Sequence, residues 1–339
     1  MHRDEILTWL REEDDARVEE LFARADETRR RCVGDEVHLR GLLEISNHCV
    51  RACGYCGLRA GNAALRRYRM TPDEIRECVR DVVAFGYGTV VMQAGEDPGL
   101  TRDVIADLVR WIKSETPLAV TLSLGERSDD DLTAWRSAGA DRYLLRFETS
   151  DRALYDMIHP PLAGRRSDRF AILRRLKDLG YEAGSGVMIG IPGQTYSSLA
   201  DDVERFRELD LDMIGVGPYL AHPATPLAQG VAAQDQAPSS EKMTYKMIAL
   251  ARLVCPQANI PSTTALATLN TARGRELGLS RGANVVMPNV TPAAYRALYE
   301  IYPGKACINE TARQCQGCMK GRIAAIGRTV GVGAGGRVR

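Results

Sequence analysis

No apolar run in this chain reaches the roughly 20 residues that a bilayer-spanning helix needs, so a membrane-embedded fold is not expected. Neither sign of charge is in excess. With 45 basic against 44 acidic residues the formal net charge is +1, which offers no electrostatic reason to expect nucleic acid or a membrane surface as partner. A secretion signal is missing too, because Met1-His2-Arg3-Asp4-Glu5 carries acids where a basic lead and an apolar core would stand. There is no G-x-G-x-x-G opening a helix and no internal repeat beyond a strand–helix unit. The nine cysteines are an odd count, unusual for a secreted protein, and six of them fall into two groups with metal-like spacing. A cytoplasmic, reducing location and oxygen sensitivity are therefore expected.

What is present is concentrated in one stretch, 43–57, where Cys49, Cys53 and Cys56 follow a short apolar run in a C-x3-C-x2-C pattern. A structural zinc site is closed by four protein ligands, and no second pair of cysteines follows nearby. Three thiolates can instead hold a [4Fe-4S] cube and leave one iron free for a small molecule. A disulfide or unrelated thiols is the competing reading, but three cysteines within eight residues of a chain expected in a reducing compartment favour metal. The pattern, with Tyr55 just before the third cysteine, resembles the radical S-adenosylmethionine (SAM) superfamily. The resemblance implies that the open iron is chelated by the amino and carboxylate groups of SAM. It also implies reductive cleavage of the sulfonium to a 5′-deoxyadenosyl radical.

Along the chain, residues 3–33 place Ile6, Leu7, Trp9, Leu10, Val18, Leu21 and Phe22 at helical spacing, which predicts two helices packed outside the main domain. Strand-like runs follow at 39–46, 88–94, 118–124, 141–147, 185–190, 212–217, 259–265 and 283–287. Helical patterns separate them, such as 72–85, introduced by Thr71-Pro72-Asp73-Glu74. Eight strands alternating with helices predict an α/β fold, a (β/α)8 TIM barrel, with its chemistry at the carboxyl ends of the strands. An open six-stranded barrel is the alternative. Closure is favoured because the last two strand runs look no weaker than the first six. The expected division is an N-terminal helical extension at 1–36, the barrel at 37–300 and a C-terminal extension with the second cysteine group at 301–339. The segment 228–240 reads as an exposed loop, and the glycine-rich 331–337 as a tail that is mobile unless it pins onto the barrel.

Polar residues mark the expected strand ends. At the second, Gln93-Ala94-Gly95-Glu96 resembles the superfamily's Gly-Gly-Glu segment with Ala94 in place of the first glycine; Gly95 would admit the ligand and Glu96 pair with its ammonium. At the third, Thr121 and Ser123 alternate and so face one side, either toward a ligand or bonded to backbone inside the barrel. At the fourth, Arg146 and Glu148 would both point into the mouth, where each must pair with the other or face a zwitterionic ligand. The fifth leads into 184–195, which resembles the superfamily's segment along adenine. Met213, Thr263 and Thr264 would complete the wall or belong to the core. His48 is either a neighbour that tunes the cluster or a structural histidine. Cys32, Cys78 and Cys255 lie in helical patterns and read as buried apolar residues.

The segments 218–227 and 282–289, together with 122–127 and 140–146, resemble the HydE family, maturases of the [FeFe]-hydrogenase active site related to biotin synthase and methylornithine synthase. The likeness runs from about residue 39 to near the C-terminus. It implies a SAM site lined by Gln93, Thr121, Ser123, Glu148, Arg169, Met213 and Tyr299, above a substrate cavity faced by Arg146, Thr263 and Thr264. It implies a small sulfur- or iron-containing precursor in H-cluster assembly as substrate, and an electron donor such as flavodoxin or ferredoxin. Other hydrogenase maturases are further partners that it implies. Phe147 stands where the family pattern has His, which bears on the substrate more than on the use of SAM. Cys307-x7-Cys315-x2-Cys318 matches the family's second, surface cluster, an auxiliary [2Fe-2S] or [4Fe-4S] centre, with free thiols as the alternative. Two other functions compete: a paralogue acting on another small substrate, in the manner of methylornithine synthase, and a non-catalytic iron–sulfur scaffold.

Overall fold

The computed structural model describes residues 1–164, 166–229 and 234–338. Its centre is an all-parallel sheet whose strands are β1 (Glu36–Ser46), β2 (Thr89–Ala94), β3 (Ala119–Ser123), β4 (Arg142–Leu144), β5 (Glu182–Ile189), β6 (Met213–Pro218) and β7 (Val285–Val286). They lie in the order β6-β5-β4-β3-β2-β1-β7, while β8 (Thr329–Val330) pairs with the start of β1 outside this path. The gap between β6 and β7 is bridged by 259–262. Ile214 N–H donates to Asn259 O at 2.9 Å, Asn284 N–H to Ile260 O at 2.9 Å and Ser262 N–H to Val285 O at 2.9 Å. The ring therefore closes as a (β/α)8 barrel.

Closure does not rest on strong final strands. The run expected at 259–265 makes only isolated bridges, and the one at 283–287 shrinks to two residues. Pro261 has no N–H for the ladder, and Thr263 already caps the helix Thr264–Leu269 by accepting from Leu266 N–H. The fourth strand also ends early, at Leu144 rather than 147. Beyond it the chain stays bonded to β5 irregularly, because Glu148 takes a left-handed φ of +64°.

Alternation sorts the side chains. Leu43 and Ile45 of β1 are fully buried outward under helices, whereas Arg40, Leu42 and Glu44 point inward. Gly41 faces the helix Pro72–Ala84 so closely that a Cβ would lie 2.6 Å from Val82 Cγ2. That helix starts as read from its sequence, with a Thr71–Glu74 capping box and Pro72 in the first turn. The helices Arg3–Arg11 and Asp15–Val33 lie outside the ring, tied on by Arg3–Asp201 at 2.5 Å and by Lys246 Nζ donating to Leu10 O at 3.1 Å.

Two loops are more fastened than their composition suggests. Within 228–240, residues 230–233 lie outside the described residues, but Ala237 is buried and its N–H donates to Gln194 O at 2.8 Å. The glycine-rich tail is pinned across the barrel floor, with Ala334 O accepting from Thr89 Oγ1 at 2.9 Å and Gly335 O accepting from Arg40 Nη2 at 2.9 Å. Gly88 permits this approach, since a Cβ there would sit 1.6 Å from Gly333 O. Among the described residues no helix is long and apolar enough to cross a membrane.

Candidate active site

The cysteine loop leaves the carboxyl end of β1 and is stitched to the rims of several other elements. Val50 N–H donates to Glu96 O at 3.0 Å, Gly54 N–H to Ile158 O at 2.7 Å and Gly57 N–H to Ile301 O at 3.0 Å. Arg51, between the first two cysteines, is buried and reaches Glu96 at 2.9 Å and Glu126 at 2.8 Å, locking the loop to the ends of β2 and β3. Gly95 packs against the loop itself, where a Cβ would fall 2.2 Å from His48 O and 2.8 Å from Cys49 Cβ.

Cys56 and Tyr55 form part of the wall of a chamber of about 300 Å³ at the barrel mouth, shared with Gln93, Ser123, Arg146, Glu148, Arg169 and Thr263. Below it a second space of about 160 Å³ carries Arg40, Glu44, Met213, Thr264 and Lys305, and Gln93, Leu144, Arg146 and Thr263 line both. Lys305 and Glu44 form a buried pair there, with Asn289 donating to the second Glu44 oxygen at 3.0 Å.

Two polar atoms at the mouth, Arg146 Nε and Glu148 Oε2, and Thr121 Oγ1 behind its wall are buried without a hydrogen-bond partner. Arg146 Nη2 lies 3.1 Å from Glu148 Oε2, close enough to share charge but not aligned as a hydrogen bond. Folded proteins seldom leave such groups unmatched, and a strained φ at Glu148 adds to the sign of a ligand site.

The thiols fit a cluster of several irons. Burial raises the pKa of Cys53 to about 12, and burial followed by the neighbouring thiols also raises Cys56. Cys49 is shifted upward as well, mainly by burial. They are protonated when bare and would become thiolates on binding iron. Among the described residues no three His, Cys, Asp or Glu side chains converge to hold one metal ion. A cube makes no such demand, because its three thiolates bind three different irons.

Not every expected contact lines the chamber. Glu96 turns away from it, its two oxygens taken by Arg51 and by Glu126 N–H, so it fastens the loop rather than facing the mouth. Gly95 serves the close approach to Cys49, and Thr121 and Tyr299 lie behind the wall. Tyr299 Oη accepts from Gln93 Nε2 at 3.3 Å. Met213 lies deep, its sulfur 2.7 Å from Arg40 Nη1. Phe147 points away from the chamber, packed at a tilt against Phe170 and Phe206 at centroid distances of 5.1 and 5.7 Å, so its departure from His alters no chamber wall.

A ring of bonds behind Arg169 escaped the sequence reading. Arg169 donates from Nη2 to His159 Nε2 at 2.6 Å and from Nε to Glu126 Oε1 at 3.0 Å. With Nε2 accepting, His159 Nδ1–H faces Tyr155 Oη at 3.1 Å; Tyr155 in turn meets Ser167 Oγ at 2.7 Å, and Ser167 donates to Glu126 at 2.5 Å. Burial, then the cations of Arg169 and Arg51, hold His159 at about 3, so it remains neutral. Burial opposes the charge of Arg169, yet Tyr55, Tyr155, Glu126 and Glu148 raise its pKa overall. Tyr155, His159, Ser167 and Arg169 all lie in the crossover from β4 to β5, while Glu126 follows β3; of these the family resemblance implied only Arg169, and Arg51, a cation inside the cysteine motif, offered a further sequence signal.

The second cysteine group lies apart from the mouth. Cys315 and Cys318 are on the surface helix Ala312–Ala325, and with Cys307 they line a cavity of about 330 Å³ that also holds Arg275, Glu310 and Arg322. A hydrogen bond from Cys307 pulls Cys315 down to about 6, and the same bond, with burial, raises Cys307. Of the remaining cysteines, Cys78 and Cys255 are buried as expected, but Cys32 is only half-buried.

The superfamily described as Radical SAM matches residues 43–206. The [FeFe] hydrogenase maturase subunit HydE of Thermotoga maritima is 48% identical over 95% of this chain and 89% of its own length. A 3-methylornithine synthase of Methanosarcina acetivorans is 27% identical over 84% of this chain and 78% of its own length. Among solved structures, methylornithine synthase superposes with a TM-score of 0.82 at 24% identity, covering 97% of this chain and 94% of that one. The latter likeness speaks for the barrel alone.

Proposed function

The chain belongs to the radical SAM superfamily and, within it, to the HydE family, and from that premise we propose that it acts in [FeFe]-hydrogenase H-cluster assembly on a small sulfur- or iron-containing precursor. Membership makes it a radical SAM enzyme whose cofactors are a [4Fe-4S] cluster and SAM. When bound, they supply a 5′-deoxyadenosyl radical by one-electron cleavage of the sulfonium, so no protein acid or base need perform the difficult step.

In this reading Cys49, Cys53 and Cys56 hold the cluster. Glu148 and Ser123, at the ends of β4 and β3, receive the polar groups of SAM, and Gln93 and Tyr55 flank them. Arg169 is kept in place by its ring and presents its charge to the same ligand, while Thr121 and Tyr299 support the wall from behind. Glu96 and Gly95 position the cysteine loop. Arg146, Thr263 and Thr264, with Met213 lower down, face the substrate space between mouth and floor. Residues 301–339 bring Tyr302 and Lys305 into that space, and Cys307, Cys315 and Cys318 hold an auxiliary cluster. A cytoplasmic location, an electron donor of the flavodoxin or ferredoxin class and the other hydrogenase maturases as partners complete the reading.

The observation that carries it is the continuity of Cys56 with a chamber in which Arg146 Nε and Glu148 Oε2 are buried without a hydrogen-bond partner, above a space lined by Arg40 and Lys305. After anaerobic reconstitution, dithionite and SAM should yield 5′-deoxyadenosine, and an extract lacking its own HydE should regain hydrogenase maturation when this protein is added. Nucleoside formation without maturation would favour a paralogue acting on another substrate; clusters without nucleoside formation would favour a scaffold.

A further inference from the structure

We infer that the outer face of the cysteine loop is a docking surface for an acidic protein that carries single electrons. The inference rests on the proposed SAM-cleaving function and names where its electrons enter. From Ile45 to Thr71 the chain contains Arg51, Arg59, Arg66, Arg67 and Arg69 and no Asp or Glu, although the whole protein is close to neutral. Two of these charges are answered: Arg51 by buried carboxylates and Arg69 by Asp97 at 2.7 Å. Arg59, Arg66 and Arg67 have no carboxylate partner among the described residues.

They are also held against the cysteines. Arg59 donates to Ala52 O at 3.4 Å, and Ala60 N–H donates to Arg51 O at 2.8 Å. Arg67 donates to Asn47 O at 2.6 Å and to Leu58 O at 2.8 Å, while Arg66 O accepts from Asn47 Nδ2 at 2.9 Å. One exposed apolar side chain lies on the same loop, Val50, next to Cys49 and 38% exposed.

A loop that carries an exposed valine and guanidiniums without a carboxylate partner fits a partner whose own redox centre is rimmed by carboxylates, and such complementarity acts chiefly on encounter rate and orientation. The partner's reduced flavin or iron–sulfur centre gives up one electron and is oxidised by one. The centre held by Cys49, Cys53 and Cys56 gains that electron, and no bond forms or breaks in the transfer.

The test uses the reconstituted full chain with flavodoxin as donor and dithionite as a reductant that needs no docking. The affinity for oxidised flavodoxin, from calorimetric titration, and the rate of cluster bleaching by reduced flavodoxin should both weaken with salt. Arg66→Glu should lower each about tenfold and Arg59→Glu/Arg66→Glu further, with dithionite-driven 5′-deoxyadenosine formation unchanged. Because Arg59 also bonds Ala52 O, the single Arg66 variant guards against a structural effect. Unchanged affinity in both variants, a salt-independent rate, or a wild-type protein that flavodoxin neither binds nor reduces would overturn the inference. Failure of dithionite to give 5′-deoxyadenosine would instead strike the function proposed above, while the affinities still judge the surface.

Discussion

The two cysteine groups end in the same C-x2-C spacing and border cavities of similar size, about 300 and 330 Å³, yet they stand in different surroundings. The first lies on a loop sewn to several strand ends and opens into the barrel interior. The second lies on a surface helix, Ala312–Ala325, with one thiol exposed. Spacing therefore speaks for metal at both, whereas position separates a site for chemistry from a peripheral one. Arginine partners follow the same division: Arg51 is buried between two carboxylates, while Arg322, 3.3 Å from Cys318, is 30% exposed in its pair with Glu276.

The comparison breaks most sharply at the cysteines themselves. Cys53→Ala should lose its bound iron and SAM cleavage together, on the scale of the about million-fold enhancements typical of enzymes, whereas Cys315→Ala should keep cleavage and lose only the iron above one cube. Iron analysis and chromatography of 5′-deoxyadenosine check both. Equal losses in the two variants would abolish the distinction.

Next come the arginines. Arg51→Met leaves the buried Glu96 without its cation and Glu126 with Arg169 alone, and should cost about 3–5 kcal/mol in urea unfolding of the metal-free protein. Arg322→Met breaks a partly exposed pair and should cost about 0–1 kcal/mol.

The smallest effect sharpens the first site alone. His159→Phe should raise the KM for SAM about tenfold by freeing Arg169, with His159→Gln, which can still accept from it, recovering most of the loss. His159 titrates at about 3 in the fold against 6.5 when free, so between those values the unfolded chain binds a proton that the folded one does not. Stability should then fall as pH drops from about 6.5 toward 3, and His159→Gln should flatten that slope in urea titrations across the range.

The elements and their order were legible because each carries a local signature: outward Leu43 and Ile45 at alternate positions, Thr71 before Pro72, three thiols at fixed spacing. Barrel closure was anticipated for a mistaken reason. The last strands are weak, and the ring closes through a few bonds from 259–262 to β6 and β7. Glu96 was read as a ligand contact since its place in the strand-end segment suggests one; its actual direction depends on Arg51, which no local pattern could orient. The tail was left undecided for the same kind of reason: its glycines matter only because Gly88 and Arg40 receive it.

By itself the sequence determined the kind of chemistry and the scaffold, since thiol spacing and hydrophobic period are properties of neighbours along the chain. Tertiary structure alone decided which polar side chains share the chamber and which brace it. Those choices depend on segments that neighbour only in the fold, as where Glu126, after β3, meets Arg169 and Ser167 of the β4–β5 crossover in a buried space where each charge needs a partner.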